Sequence, residues 1–123
     1  MKDQVIEEIK RHCGKVMVLN NGWCHFIYKH LHYLNISNNN GMIRISIPHI
    51  GKNNEFEKEW LETVINETNR EVKYVKVVVL DNGSISLNYD HKLSDDETIR
   101  DIIPHMIETL YFASEYLIMK LQK

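Results

Sequence analysis

The chain has 123 residues and a mass of 14.6 kDa, with 15 Lys and Arg residues against 17 Asp and Glu residues. Its composition, with 43% hydrophobic residues, excludes disorder, collagen-like repeats and coiled coils. A compact fold of this size buries roughly two-thirds of the surface that its unfolded chain exposes, so it needs no disulfide or metal for stability. The formal net charge of −2 lacks the basic excess that phosphate backbones select, which argues against nucleic acid as a partner.

The sequence has neither a signal-peptide-like apolar stretch at its start nor a run approaching the roughly 18 apolar residues of a membrane span. We therefore expect a cytoplasmic protein with no membrane partner. Cys13 and Cys24 make a poor disulfide framework in a chain of this length, and both are expected to be reduced.

The first predicted elements are a short helix and a β-hairpin. Apolar side chains recur at three- and four-residue spacing over residues 2–13, which predicts an amphipathic helix that ends at Gly14. Residues 15–19 and 23–28 are predicted strands, joined by a turn at residues 20–22 whose Asn and Gly residues accept positive φ.

A second pair of strands is predicted over residues 31–37 and 42–48, separated by residues 38–41. In the second of these strands, isoleucines alternate with Met, Arg and Ser, which predicts one buried and one solvated face. We expect Pro48 to end this strand because proline cannot donate to a ladder. Residues 51–54 then read as a polar linker.

Helical spacing returns over residues 56–68, with Asn54 as the predicted cap and Glu57 three residues later. A hairpin follows, with strands over residues 73–80 and 84–90. A two-residue loop would mix apolar and polar side chains on each face. A three-residue loop with Gly83 in the left-handed conformation gives one apolar face, and it pairs Val79 with Ile85, Val77 with Leu87 and Val75 with Tyr89.

A final helix is predicted from Ser94 almost to the C-terminus. Ser94 and Glu97 form a capping-box pattern, and acidic residues between them suit the first turn of a helix. Pro104 removes one backbone hydrogen bond and disfavours helical geometry at Ile103, so we expect a kink or a break there.

The predicted element order is α-β-β-β(β)-α-β-β-α, over a single domain of residues 1–123. This order indicates an α+β fold, with helices packed on one face of a mostly antiparallel sheet.

The candidates for chemistry are weak. Seven histidines include a group near both cysteines, in which His30 and His32 are two residues apart on a predicted strand, and His12, Cys13, Cys24 and His25 are further possible ligands. This spacing matches no zinc pattern, and the alternative is a set of histidines on a strand face. A Cys24–His25 nucleophile has no local support, and capping explains the carboxylates near Ser94. We therefore predict no catalytic residue, no metal ligand and no cofactor.

Exposed apolar side chains are the better candidates for a functional surface. The last helix is apolar around more of its circumference than a surface helix needs, which predicts a second buried face, either within the domain or in a homodimer. The outer face of the second hairpin is another candidate. The predicted partner or dimer surface consists of Val78, Leu80, Ile107, Tyr111 and Ile118.

The stretch of residues 60–116 resembles the YbjN-like family, whose fold is that of type III secretion chaperones. The resemblance depends on three parts of the sequence: the helix end at residues 65–70, the two strands with their turn at residues 74–89, and the long apolar helix that closes with Ala113 and Tyr116. It implies a small, non-enzymatic, usually dimeric domain. Secretion chaperones of this fold hold a partner chain in extended form, and YbjN-like proteins are regarded as regulators.

We therefore predict a protein-binding or regulatory domain that acts as a homodimer and not as an enzyme. Pairing of a sheet edge with an extended segment of another protein is the natural mode for such a fold. Two alternatives remain open at this point: a dedicated inhibitor or immunity-type partner of one specific protein, and a metal-binding protein that uses the His and Cys cluster.

Overall fold

The computed structural model describes residues 2–37 and 40–122. Asn38 and Asn39, in the predicted turn at residues 38–41, lie outside the described residues. The elements in chain order are α1 (Lys2–Cys13), β1 (Val16–Val18), β2 (Cys24–Tyr28), β3 (Leu31–Asn35), β4 (Met42–Lys52), a one-turn 3₁₀ helix (Asn53–Glu55), α2 (Lys58–Glu71), β5 (Val75–Val79), β6 (Ser84–Lys92) and α3 (Ile99–Leu121).

Six strands form one sheet in the order β1-β2-β3-β4-β6-β5, and all neighbours are antiparallel. The three helices cover one face of this sheet, and α3 contacts both α1 and α2. Strands with one apolar face must bury that face against another layer, and the helices supply it. The predicted α+β class and element order are confirmed.

The core lies between the sheet and α3. Ile43, Ile45 and Ile47 on β4 point toward the helices and are fully buried, as their alternation predicts. The apolar stripe of α3 packs against them and loses nearly all of its exposure. Its buried members are Ile103, Met106, Ile107, Leu110, Ala113, Leu117 and Leu121.

The second hairpin has the predicted register. Val79 lies opposite Ile85, Val77 opposite Leu87 and Val75 opposite Tyr89. Gly83 has φ 86°, and its backbone N–H donates to the Leu80 carbonyl, as a three-residue loop requires. The turn at residues 20–22 has the same geometry, with Gly22 at φ 85°.

The prediction that Pro48 ends its strand is wrong, since β4 continues to Lys52. The register with β6 shifts between Ile47 and Gly51, so three residues of β4 lie opposite Ser86 alone. Pro48 lies in this bulge, where the ladder needs no N–H donor. The supposed linker at residues 51–54 is in part a strand, because Gly51 and Lys52 pair with β6.

The predicted cap of α2 is also wrong. Asn54 lies inside the 3₁₀ helix, and the carboxylate of Glu57 instead accepts hydrogen bonds from the backbone N–H groups of Glu59 and Trp60, each at 3.0 Å. A carboxylate at this position satisfies two free donors and places negative charge at the positive end of the helix dipole.

Helix α3 starts later than the capping pattern predicts. Ser94 and Glu97 form a turn, in which the Ser94 N–H donates to the Glu97 carboxylate at 2.8 Å. His91 on β6 contacts the same carboxylate at 3.0 Å, which holds this turn against the sheet. The helix begins at Ile99, and its cap is Thr98.

The predicted break at Ile103 is wrong, because α3 runs without interruption from Ile99 to Leu121 through Pro104. Proline leaves one carbonyl, that of Arg100, without an intrahelical donor. Arg100 is exposed, so water can hydrogen-bond its carbonyl, while the neighbouring Ile103 is anchored in the core.

The turn around Glu97 predicts a pH dependence of stability. Hydrogen bonds from the N–H and hydroxyl of Ser94, followed by that from His91, lower the pKa of Glu97 from 4.5 to about 2. The folded state therefore binds this proton more weakly than the unfolded state. The stabilisation is present above the unfolded pKa and is lost as the pH falls toward the folded pKa.

We expect the urea midpoint of the wild type to exceed that of Glu97→Gln at about pH 6, and the difference to shrink as the pH falls to about 2. Urea titrations of both proteins across this range, followed by circular dichroism, measure it. A difference that stays constant over the whole range would contradict the assigned pKa.

Candidate protein-binding edge and groove

The two edge strands of the sheet, β1 and β5, differ in what covers them. In β5, the Leu80 N–H donates to the Ser84 carbonyl. Hydrogen-bonded and non-hydrogen-bonded pairs alternate along an antiparallel ladder, so Val77 forms a non-hydrogen-bonded pair with Leu87. The backbone N–H and C=O groups of Val77 therefore point away from β6. The side-chain amide of Asn69 on α2 satisfies both groups: its Oδ1 accepts from the Val77 N–H at 2.6 Å, and its Nδ2 donates to the Val77 carbonyl at 3.1 Å. The centre of this edge is therefore closed.

The β1 edge has no such cover. The Leu19 N–H donates to the Trp23 carbonyl at 2.7 Å, and the same alternation directs the backbone groups of Val16 and Val18 away from β2. No helix side chain among the described residues hydrogen-bonds to them. The side chain of Val18 is 55% exposed. An edge of this kind is a template for an added strand.

Strand β1 has three residues and β2 has five, so their pairing covers only part of β2. Tyr28 pairs with Leu31 across a two-residue turn, so Ile27 directs its backbone groups toward the β1 side. The pairing of β1 with β2 ends at Val16 and Phe26, and Ile27 faces Lys15, which precedes β1. The chain before Val16 turns away there into Gly14, which has φ 93°.

A groove with a volume of about 820 Å³ lies at this step, between the C-terminal end of α1 and the β1–β2 hairpin. Its apolar wall consists of Cys13, Val16, Met17, Phe26 and Ile27. Its polar side chains are those of Lys10, Lys15 and His25, and no carboxylate among the described residues lines it. The groove can accept apolar side chains beside a strand added to β1.

A hydrogen-bonded cluster fixes the position of the elements behind the groove. The Tyr28 hydroxyl donates to the Glu108 carboxylate on α3, and His12 Nε2 on α1 lies 3.2 Å from the same oxygen. The hydrogen bond between Tyr28 and Glu108 raises the pKa of Tyr28 to about 12 and lowers the pKa of Glu108. Lys29 lies 4.7 Å from the centroid of the Tyr111 ring. The cluster ties α1, β2 and α3 together.

The turn at Lys29 and His30 joins β2 to β3. Both residues have positive φ, 47° and 71°, where Asn and Gly are the usual residues. No local sequence signal therefore marks this turn. Side chains in such a conformation cost roughly 1–3 kcal/mol, which the surrounding structure must offset.

The candidate His and Cys ligands do not come together as one group. His30 lies in the turn, and the ring that meets His32 is that of His25, with 2.8 Å between His25 Nε2 and His32 Nδ1. Among the described residues, no group of three or more His, Cys, Asp or Glu side chains is placed to hold a metal ion. His25 and Cys24 point to opposite faces of β2, so these neighbours form no Cys–His pair.

Both cysteines are free. Burial, followed by the charge of Glu108, raises the pKa of Cys13 to about 11. Burial also raises the pKa of Cys24. Because the thiolate is the reactive form, neither side chain is activated as a nucleophile at neutral pH.

The predicted surface residues fall into different environments. Val78 and Leu80 on the second hairpin are exposed, and Tyr111 and Ile118 are half-buried. Ile107 is wrong as a surface residue, because it is fully buried in the core stripe of α3. The outward face of α3 also presents Phe112 and Met119, which belong to the apolar residues outside the inward stripe of this helix. Their spacing of seven residues places them on one side of the helix.

No family model matches the chain, and no curated protein matches it either. The chain is, however, similar to several solved structures. A chain of the ExsC–ExsE complex superposes with a TM-score of 0.72 at 10% identity, covering 98% of this chain and 92% of that one. A chain of the HopA1–SchA chaperone–effector complex gives a TM-score of 0.65 at 7% identity, covering 94% and 91%.

An uncharacterized protein from Methanothermobacter thermautotrophicus gives a TM-score of 0.67 at 12% identity, covering 99% of this chain and 97% of that one. At these identities the likeness concerns the fold alone. The chain therefore has the secretion chaperone-like α+β fold. None of the described helices is long and apolar enough to span a membrane.

Proposed function

We propose that the protein is a non-enzymatic, cytoplasmic protein-binding domain of the chaperone-like kind, which holds an extended segment of another protein along β1. The observation that carries this proposal is the difference between the two sheet edges. Asn69 closes β5, whereas the backbone groups of Val16 and Val18 face outward beside an apolar groove. Main-chain hydrogen bonds to such an edge supply affinity, and pockets for alternate side chains supply specificity.

The comparisons support a protein partner without identifying it. Two of the similar structures come from protein complexes, the ExsC–ExsE complex and the HopA1–SchA chaperone–effector complex. Residues 60–116 resemble YbjN-like proteins. This resemblance supports two further parts of the proposal: that the protein belongs to this family, and that its binding has a regulatory role.

We further propose that the domain acts as a homodimer. Phe112 and Met119, exposed by 59% and 53%, form an apolar strip on the outward face of α3 that a second copy would cover. Light scattering over a concentration series measures this, and a monomeric mass throughout would contradict it.

Proline at the β1 edge tests the binding mode. Val18→Pro removes an outward N–H donor without removing a ladder hydrogen bond, because Val18 does not donate to β2. We expect a library of short β-forming peptides to yield binders of the wild type that lose at least about tenfold in affinity for this variant.

Val79→Pro on β5 is the matched control, because Val79 is also an exposed valine whose backbone groups point away from its neighbouring strand. Fluorescence anisotropy measures both variants, and circular dichroism verifies that they fold. Equal affinity of the peptides for the wild type and Val18→Pro, or equal losses in the two proline variants, would contradict binding at β1.

A further inference from the structure

We propose that the bound segment joins an apolar, β-forming run to one or two acidic residues at one end, where they meet Lys10 and Lys15. This inference rests on the proposed function, since it names the chemistry of the segment that occupies the same site. It goes beyond edge pairing, which by itself selects no charge.

The charge around the groove carries the inference. Lys10 and Lys15 line it, and no Asp or Glu side chain does, although the whole chain has a net charge of −2. Lys10 has only a loose ion pair, 3.7 Å from Glu7, in which both side chains are about half or more exposed. Such a pair contributes little by itself, so Lys10 remains available to a partner carboxylate.

The position of the two lysines predicts where the acidic residues lie. Both precede Val16, at the end of the groove where α1 joins β1. The walls beside β1 itself are mostly apolar: Val16 and Phe26 line the helix side, and Met17, Ile27 and the ring of His25 line the opposite side. Alternating side chains of an added strand therefore meet mostly apolar surface on both faces, and the two lysines lie only at its end.

Two partly exposed ion pairs contribute modestly to affinity and more to selection between partners. We expect the acidic end to strengthen binding by about tenfold over a neutral end of the same shape. This gain should fall with added salt, because the charges face solvent.

Three synthetic peptides test this. They share one run of alternating valine and threonine and differ only in an end of Asp-Glu, Asn-Gln or Lys-Lys. Fluorescence anisotropy measures their affinity for the wild type, for the double variant Lys10→Gln and Lys15→Gln, and for a control with Lys58→Gln and Lys73→Gln. The control removes the same charge from exposed lysines outside the groove.

We expect the wild type to bind the peptide with the Asp-Glu end more tightly than those with Asn-Gln and Lys-Lys ends. The groove variant should lose this preference, and the control variant should keep it. Equal affinity of the wild type for all three ends, or the same preference in the groove variant, would overturn the inference. Failure of all three peptides to bind would overturn it as well.

The edge variant Val18→Pro separates this inference from the proposed function. If it weakens all three peptides while the ends bind equally, binding at β1 stands and the acidic segment is wrong. If it weakens none of them, the proposed function fails, whatever the preference for charge.

Discussion

Replacing Ile107 with alanine is expected to lower the free energy of unfolding by about 2–4 kcal/mol. Its side chain has 0% exposure and lies in the stripe of α3 that faces the core. The truncation removes buried methyl and methylene groups and leaves a cavity that close-packed neighbours fill only in part. Urea denaturation followed by circular dichroism measures the loss.

Phe112→Ala on the same helix is the control. Phe112 is 59% exposed, so its truncation should change the free energy of unfolding of the isolated chain by no more than about 0.5 kcal/mol. Similar losses in the two variants would mean that the assignment of buried and outward faces on α3 is wrong. If the chain dimerises through Phe112, the same variant should lower the mass in solution without unfolding the protein.

Replacing Asn69 with alanine is expected to cost about 1–3 kcal/mol, because the N–H and carbonyl of Val77 lose their partners at a half-buried position. The substitution also opens the centre of β5. An unprotected edge pairs with other chains, so we expect concentration-dependent association that the wild type does not show. Urea titration measures the first effect and light scattering the second.

Asn66→Ala is the matched control, because Asn66 lies on the same helix with an exposed side chain and makes no hydrogen bond to β5 in the described structure. It should leave both stability and mass near those of the wild type. If Asn69→Ala behaves as this control does, the amide does not protect the edge, and the distinction between β1 and β5 loses its basis.

These two substitutions address different properties of one architecture. The core around α3 determines whether the domain folds, and the state of its edges determines what the folded domain can bind. A chain that presents backbone donors and acceptors must also avoid pairing with itself. Closing one edge with Asn69 and keeping β1 to three residues limits that risk.

Sequence reasoning predicted only part of the proposed binding site. Pairing of an extended segment with a sheet edge follows from the fold class, but which strand is the free edge does not. The cover of β5 comes from one amide eight residues before Val77, and no periodic pattern marks it. Sequence reasoning also placed Ile107 on the surface, since an apolar side chain on a widely apolar helix has the same pattern on either face.

Local signals in the sequence were sufficient for the element order, for the end of α1 at Gly14 and for the register of the second hairpin. These features depend on neighbouring residues: side-chain periodicity, and a turn whose Gly83 alone accepts the required φ. Features that depend on distant residues were decided only by the tertiary structure. Pro48 is tolerated because β4 bulges there against β6, and α3 starts at Ile99 because His91 holds the preceding turn. The outward backbone groups of β1 are free because no side chain of the described helices hydrogen-bonds to them. Each of these outcomes depends on how separate elements pack together, and the free energy of that packing exceeds the local preference.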